Sequence, residues 1–336
     1  MNIRKYSAMH YVPLGKSGLM VSRLCLGCMS FGVPGREPHP WVIDEKASQA
    51  VFRVAADAGI TFWDTADMYG AGASEEITGR AMKEYFAKRS DVVLATKLAN
   101  AMGEGANDRG LSRKHIVEAC EASLKRLGTD YIDLYYVHRL VGVAPFEEIC
   151  AGLDLLLSQG KVLYLGASSM WAWQFAKLRA IQREIGSQPF AAMQNFYNLV
   201  YREEEREMMP YCAHEGVGVV PWSPIARGFL AGNRPKEGAQ SDRAKSDKHH
   251  QGYFGSKQDY EILRRVEKVA RDTGAKPAQI AYAWVLSKSF VTAPIAGATK
   301  PWQLEEAVGA LEILLTASQI KYLEAAYKPR PVTGHS

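Results

Sequence analysis

Long hydrophobic runs are missing from this chain. No stretch of its 336 residues approaches the roughly 20 apolar residues of a membrane span. Met1 to Met9 has no apolar core of the kind a secretory signal carries. A membrane is therefore not an expected partner. Cysteine is scarce: Cys25, Cys28, Cys120, Cys150 and Cys212 form an odd set, with no Cys/His pairing at zinc spacing. Cys25-Leu-Gly-Cys28 has the spelling of a redox pair, but it lies in an apolar run, Leu24 to Met29, that reads as a strand. Residues three apart on a strand face opposite ways, so buried, separate thiols are expected, in a reducing, cytoplasmic setting. An excess of one charge is also lacking. Lys and Arg number 41 against 36 Asp and Glu, net +5, with no basic run interleaved with aromatics, so nucleic acid is not an expected partner. The glycine-rich turn that a doubly wound dinucleotide fold carries after its first strand is absent. Gly15-Lys16-Ser17 lacks the earlier glycine of a P-loop, position 10 being His, and no helix pattern follows it.

What the sequence does have is alternation. Eight short apolar or β-branched runs lie near 22–29, 60–66, 92–97, 132–138, 162–168, 191–197, 217–223 and 291–298. Helix-period segments separate them, including Glu45–Ala58 behind Asp44, Glu75–Phe86 behind Ser74, Arg113–Leu127 between Ser112 and Gly128, and Phe146–Gln159 behind Pro145. Strand followed by helix implies parallel strands, and eight is the number that closes a barrel. The expectation is one (β/α)8 TIM-barrel domain over 10–327. A short N-terminal β-hairpin between Tyr11 and Val21 would open it, with 1–9 and 328–336 as flexible ends. One connection breaks the rhythm: the polar stretch 233–257, containing His249-His250, reads as a surface loop or as a lid over a cofactor. The two histidines suit a solvated pair better than a metal site.

Three consecutive runs end on proton-handling groups. Gly59-Ile-Thr-Phe-Trp-Asp-Thr-Ala-Asp-Met-Tyr-Gly70 reaches Asp64 and then Tyr69, Asp91 to Lys97 ends on an amine, and Ile132 to His138 ends on an imidazole. Ile60, Phe62 and Asp64 share one parity, as do Val93, Ala95 and Lys97, and Leu134, Tyr136 and His138, so each group can follow an inward-facing row. A phenol beside an ammonium, itself held by a carboxylate, suits protonation of a developing alkoxide. The set has no activated serine or cysteine nucleophile, which points to an external hydride donor.

Asp64-Thr-Ala-Asp-Met-Tyr-Gly70, Ala95-Thr-Lys97 and Leu127-Gly-Thr-Asp-Tyr-Ile-Asp-Leu-Tyr-Tyr-Val-His138 resemble the aldo-keto reductase family over roughly Tyr11 to Ala310. The resemblance implies Asp64, Tyr69, Lys97 and His138 as the catalytic set, NADP(H) as cofactor, no metal, and a small carbonyl compound as substrate. Gly166-Ala-Ser-Ser169 and Met193-Gln-Asn195 resemble strand ends that hold the nicotinamide amide through Ser168 and Gln194. In Pro221-Trp-Ser-Pro-Ile-Ala-Arg-Gly228, Trp222 would stack on the nicotinamide while Ser223, Ile225 and Gly228 approach the pyrophosphate. Pro294-Ile-Ala-Gly297-Ala-Thr-Lys-Pro301 ends the last strand and opens a helix, a ready phosphate site at which Thr299, Lys300 and Gln303 would reach a 2′-phosphate. Relatives often carry Ser-Asn where this chain has Ser168-Ser169, and Glu-Asn where it has Glu306-Ala307. Ser169 and Ala307 are therefore the positions at which it departs from the family pattern, whereas Glu306 keeps it and, by the resemblance, is a cofactor-binding residue along with Ser169. Met29, Phe31, Trp41 and Met68 would wall an apolar substrate pocket. The alternative to an enzyme is an NADPH-binding regulatory or redox-sensing subunit, against which the complete proton-transfer set argues. A metal-dependent barrel hydrolase would need more strand-end ligands than His138 and Asp64.

Overall fold

Two apolar layers, one on each side of a parallel sheet, organise the chain in the computed structural model, which describes residues 9–35, 39–233 and 252–335. A hairpin of β1 (Tyr11–Pro13) and β2 (Met20–Ser22) comes first. The sheet follows: β3 (Cys25–Gly27), β4 (Phe62–Asp64), β5 (Val93–Leu98), β6 (Ile132–Val137), β7 (Val162–Ser168), β8 (Ala192–Gln194), β9 (Gly218–Val219) and β10 (Ile295–Gly297). Its order is β10-β3-β4-β5-β6-β7-β8-β9, with every pairing parallel. A parallel bridge between Val219 and Val291, and a bond from Ile295 N to Pro221 O at 2.9 Å, bring the two ends of that order together. The fold is thus the expected (β/α)8 barrel.

The period-two pattern sorts the side chains. Phe62, Val93, Ala95, Leu134 and Tyr136 join Cys25, Ala192, Val220 and Ile295 inside the barrel. Their neighbours Trp63, Leu94, Tyr135 and Val137 belong to the layer between sheet and helices. Ile60 departs from its expected row and packs in the outer layer, because β4 begins only at Phe62, beyond the turn at Gly59 (φ 75°). Tyr136 fits inside because its neighbour across β7 is Gly166, where a Cβ would lie 2.4 Å from the ring. The hairpin closes the amino end: Leu14 and Val21 join the interior cluster, and Lys16 N donates to Gly216 O at 2.7 Å. Cys25 lies in the inner cluster and Cys28 in the outer one, and all five cysteines are buried and free.

Helices fill the outer layer: α1 (Glu45–Asp57), α2 (Ala73–Tyr85), α3 (Arg113–Leu127), α4 (Phe146–Ser158), α5 (Ala172–Glu184), α6 (Met208–Glu215), α7 (Lys257–Thr273), α8 (Pro277–Leu286), α9 (Pro301–Gly309) and α10 (Ala317–Glu324). Asp44 and Ser112 cap α1 and α3 as their side chains accept from Ala47 N and His115 N. Ser74 does not cap α2. It lies within the helix and donates to Cys28 O at 2.8 Å, while Gly72 (φ 98°) turns the chain into the helix. Gly79 of α2 meets the backbone of α3 so closely that a Cβ would stand 2.2 Å from Leu127 O. Gly79→Ala, which raises helix propensity, is nevertheless expected to cost about 1–3 kcal/mol through overpacking, read as a lower midpoint in urea unfolding.

The C-terminal segment, expected as a flexible end, is tied to the barrel. Arg330 pairs with Asp259 at 3.0 Å and donates to Val200 O and Tyr253 O. Thr333 N donates to the Tyr201 hydroxyl at 2.9 Å, and His335 pairs with Glu204 at 2.7 Å. Asp259 and Glu204 are buried carboxylates, and partners for them come from this segment. Most of the stretch 233–257, with His249 and His250, lies outside the described residues, as do residues 1–8. No helix among the described residues is long and apolar enough to cross a membrane.

Candidate active site

Adjacent strands deliver the proton-handling groups to the carboxyl end of the barrel. Asp64 is the last residue of β4, Lys97 lies in the last turn of pleat of β5, and His138 directly follows β6. Tyr69 stands in a 3-10 turn (Tyr69–Gly72) five residues beyond Asp64. Lys97 Nζ donates to Asp64 Oδ2 at 2.5 Å and to Thr65 O at 2.6 Å, and reaches the Tyr69 hydroxyl at 3.4 Å. The Tyr69 and His138 rings meet edge to face, 5.7 Å apart at 86°. The structure thus brings the four expected groups together. Between Lys97 and His138's partner Asn100 sits Ala99 with φ 121°, a strained, sparsely populated conformation for a non-glycine residue.

Burial sets the charges. Lys97 is fully buried; desolvation lowers its basicity, but Asp64 and Tyr69 outweigh this and hold it above the usual lysine range. Desolvation raises the Asp64 carboxyl, opposed by Lys97 and Gln194. Burial raises the Tyr69 phenol above its ordinary value, opposed by the charge of Lys97 and reinforced by that of Asp64. Burial, with Lys97 and Arg139, drives His138 well below its ordinary value, so the ring is neutral. Asn100 Nδ2 lies 3.1 Å from His138 Nδ1, and with the amide as donor the neutral ring carries its hydrogen on Nε2.

Around this centre the expected cofactor residues have mixed placements. Trp222 stacks on Phe196 at 4.4 Å, and its Nε1 donates to Ser169 Oγ at 3.0 Å. Ser168 Oγ accepts from Arg139 Nη1 at 3.1 Å. Gln194 is drawn inward, Nε2 donating to Asp64 Oδ1 at 3.0 Å. The loop after β9 turns through left-handed residues Ser223, Ala226, Arg227 and Gly228, with φ between 52° and 95°, and Gly228 N donates to Ile225 O. At the start of α9, Gly297 and Lys300 are exposed, while Gln303 Oε1 accepts from Thr299 N at 2.8 Å and Lys300 N at 3.1 Å. Glu306 pairs with Lys276 at 2.5 Å. Gln303 and Glu306 are therefore engaged within the protein, in capping and in an ion pair. Of the expected pocket wall, Met29 is half-buried and Met68 is 39% exposed. Phe31 has no exposed surface and packs on Phe52 at 4.6 Å, so it belongs to the core, and Trp41 is buried against His39.

Residues 23–328 match the model of the Aldo/keto reductase family. Versiconal hemiacetal acetate reductase of Aspergillus parasiticus is 42% identical over 344 aligned positions, covering 96% of this chain and 98% of that protein. The chain belongs to the aldo/keto reductase family. A putative aryl-alcohol dehydrogenase of Schizosaccharomyces pombe is 41% identical, covering 96% of this chain and 97% of its own. Another, of Saccharomyces cerevisiae, is 40% identical, covering 95% and 97%. Family membership makes the protein an oxidoreductase of the carbonyl-reducing kind. Among the described residues no group of three or more His, Cys, Asp or Glu is placed to hold a metal ion.

Four residues at this candidate site of the aldo/keto reductase were not singled out from the sequence. Asn100, Arg139 and Phe196 stand one to three residues beyond strand-end positions already singled out, and only the folded loops turn them to the centre. A fourth, Asp67, lies inside the quoted motif. It is buried, Oδ1 accepts from Met68 N at 2.6 Å, and Oδ2 has no partner. Burial and the nearby Glu75 push this carboxyl up to about 8. A carboxyl raised on folding favours the protonated chain, so it costs stability progressively as pH climbs from its unfolded value near about 4. Asp67→Asn is therefore expected to gain stability relative to the natural chain across that window, levelling above about 8, as measured by urea unfolding at stepped pH.

Proposed function

We propose that the protein reduces aldehydes or ketones to alcohols with NADPH, Tyr69 acting as the general acid. The observation that carries this reading is the hydrogen-bonded chain Asp64–Lys97–Tyr69 facing a neutral His138 at one end of the barrel. A carbonyl oxygen placed between Tyr69 and His138 meets two donors, the phenol O–H and the imidazole Nε2–H. A reduced nicotinamide held beside Trp222, Ser168 and Ser169 would, when bound, supply a hydride for the carbonyl carbon. Tyr69 gives its proton to the oxygen, and the Lys97 ammonium stabilises the phenolate left behind. Asp64 holds Lys97 charged and aimed, and solvent restores the Tyr69 proton.

The residues present fit the cofactor. Trp222 offers a flat ring beside Ser168 and Ser169, suited to a nicotinamide and its amide. The left-handed turn Ser223 to Gly228 lets backbone approach a pyrophosphate, and the open glycine at 297 leaves room before the start of α9. Lys300, exposed at that helix start, suits a 2′-phosphate and favours NADPH over NADH. The names of two relatives, putative aryl-alcohol dehydrogenases, favour aromatic carbonyl compounds. Five buried free thiols suit a cytoplasmic location.

The test is consumption of NADPH, beside NADH, with a panel of aromatic and aliphatic aldehydes. NADPH-preferring turnover is expected. Lys300→Ala should raise KM for NADPH by about tenfold, the lower end for a charge-assisted bond, and leave KM for NADH in place. Tight NADPH binding with no turnover of any aldehyde would overturn the enzymatic reading in favour of a regulatory, NADPH-binding subunit.

A further inference from the structure

Arg139 is a sheltered cation without an anion. Its Nη1 is fixed by the His138 carbonyl at 2.6 Å and the Ser168 hydroxyl at 3.1 Å, both neutral. Other sheltered arginines have carboxylates: Arg89 has Asp133, Arg126 has Glu75 and Arg330 has Asp259. Arg23, which does not, is held by three backbone carbonyls. No carboxylate among the described residues pairs with Arg139, and the ionisable groups coupled to it include His138, the phenols of Tyr69 and Tyr253 and the guanidinium of Arg227. The guanidinium carbons of Arg139 and Arg227 both lie 5.9 Å from the Trp222 ring centre. The nearby carboxylate of Asp64 is committed to Lys97 and Gln194.

A partly desolvated cation is costly unless it is paired, and this one stands where Tyr69, His138 and Trp222 converge. Ser168 and Trp222 mark the proposed nicotinamide side and Tyr69 the proton-donating side, so the reacting carbonyl lies between them, within reach of the guanidinium. We infer that Arg139 is a specificity-determining residue that receives a carboxylate of the substrate. The preferred substrates are then aldehydes or ketones carrying a carboxylate close to the carbonyl carbon. This inference rests on the carbonyl-reducing reading and adds the substrate class to it.

The experiment compares kcat/KM for ortho-, meta- and para-carboxybenzaldehyde with their methyl esters, in the natural protein, Arg139→Met and Arg139→Lys. At least one acid is expected to exceed its ester by about 10- to 100-fold, the worth of a bond between charged groups. That acid-to-ester ratio should collapse towards unity in Arg139→Met and be partly kept in Arg139→Lys, whatever the absolute rates. Equal ratios for acids and esters in the natural protein, or a preference that survives in Arg139→Met, overturns the inference. So does a loss in Arg139→Met that is equal for acid and ester, which marks a purely structural or cofactor-positioning role. Ester turnover in the natural protein tests the carbonyl-reducing reading separately. If no aldehyde turns over, calorimetric titration of the same acids and esters decides: tighter binding of an acid that is lost in Arg139→Met supports the anion site, and equal affinities refute it.

Discussion

Tyr69→Phe is expected to lower turnover of every carbonyl substrate by about 10²–10⁴-fold, the usual share of a positioned general acid. The fold should survive the change. Among the described residues the phenol oxygen makes one long hydrogen bond, 3.4 Å to Lys97, while the ring keeps its edge-to-face packing on His138. The stability change should thus stay within about 1 kcal/mol. NADPH affinity should also persist, because the hydroxyl belongs to the proton path and not to the proposed cofactor walls. Near-normal turnover in Tyr69→Phe would remove the tyrosine from its role. The environment raises the phenol above its ordinary value, so in the natural protein it retains its proton throughout the neutral range. Reduction is accordingly expected to show no loss from Tyr69 ionisation until pH passes the usual phenol range.

The second large effect belongs to Lys97, where stability and activity should fall together. Lys97 and Asp64 are both buried and face each other at 2.5 Å. Lys97→Met leaves the carboxylate with Gln194 alone, and breaking a buried pair in this way costs about 3–5 kcal/mol. The deficit should shrink as pH falls, because Asp64 is already raised by burial and escapes its charge by taking a proton. The double variant Asp64→Asn/Lys97→Met should recover much of the stability in urea unfolding while its turnover remains abolished. Recovery of turnover together with stability would show that the pair serves the fold alone.

The barrel could be read from the chain because alternation of strand and helix signals is a local property, written in caps such as Asp44 and Ser112 and in the period-two rows through Phe62, Ala95 and Tyr136. The four proton-handling residues were legible for the same reason: each sits at or just beyond a strand end, and parallel neighbours must bring strand ends together. What could not be read depended on partners distant in sequence. Gln194 turns toward Asp64 and Glu306 toward Lys276, choices set by charges on other elements. Phe31 was expected in the pocket wall, but the chain folds back on α1 and buries it against Phe52. The C-terminal segment looked free because Asp259 and Glu204, the buried carboxylates it serves, carry no sign in the sequence of being buried. The raised Tyr69 phenol was hidden for a related reason: burial is what raises it, against the opposing charge of Lys97, and that burial depends on packing that strand-end spacing does not show.

The most direct measurement of the central claim is isotopic. The protein is incubated with NADPH deuterated at the transferring position of the nicotinamide and with an aromatic aldehyde, and the alcohol is analysed by mass spectrometry and proton resonance. The account predicts one deuterium on the carbinol carbon and none on the hydroxyl after exchange, formed at a rate that collapses in Tyr69→Phe. Alcohol lacking the label, or labelled alcohol formed equally fast without the Tyr69 hydroxyl, would contradict it.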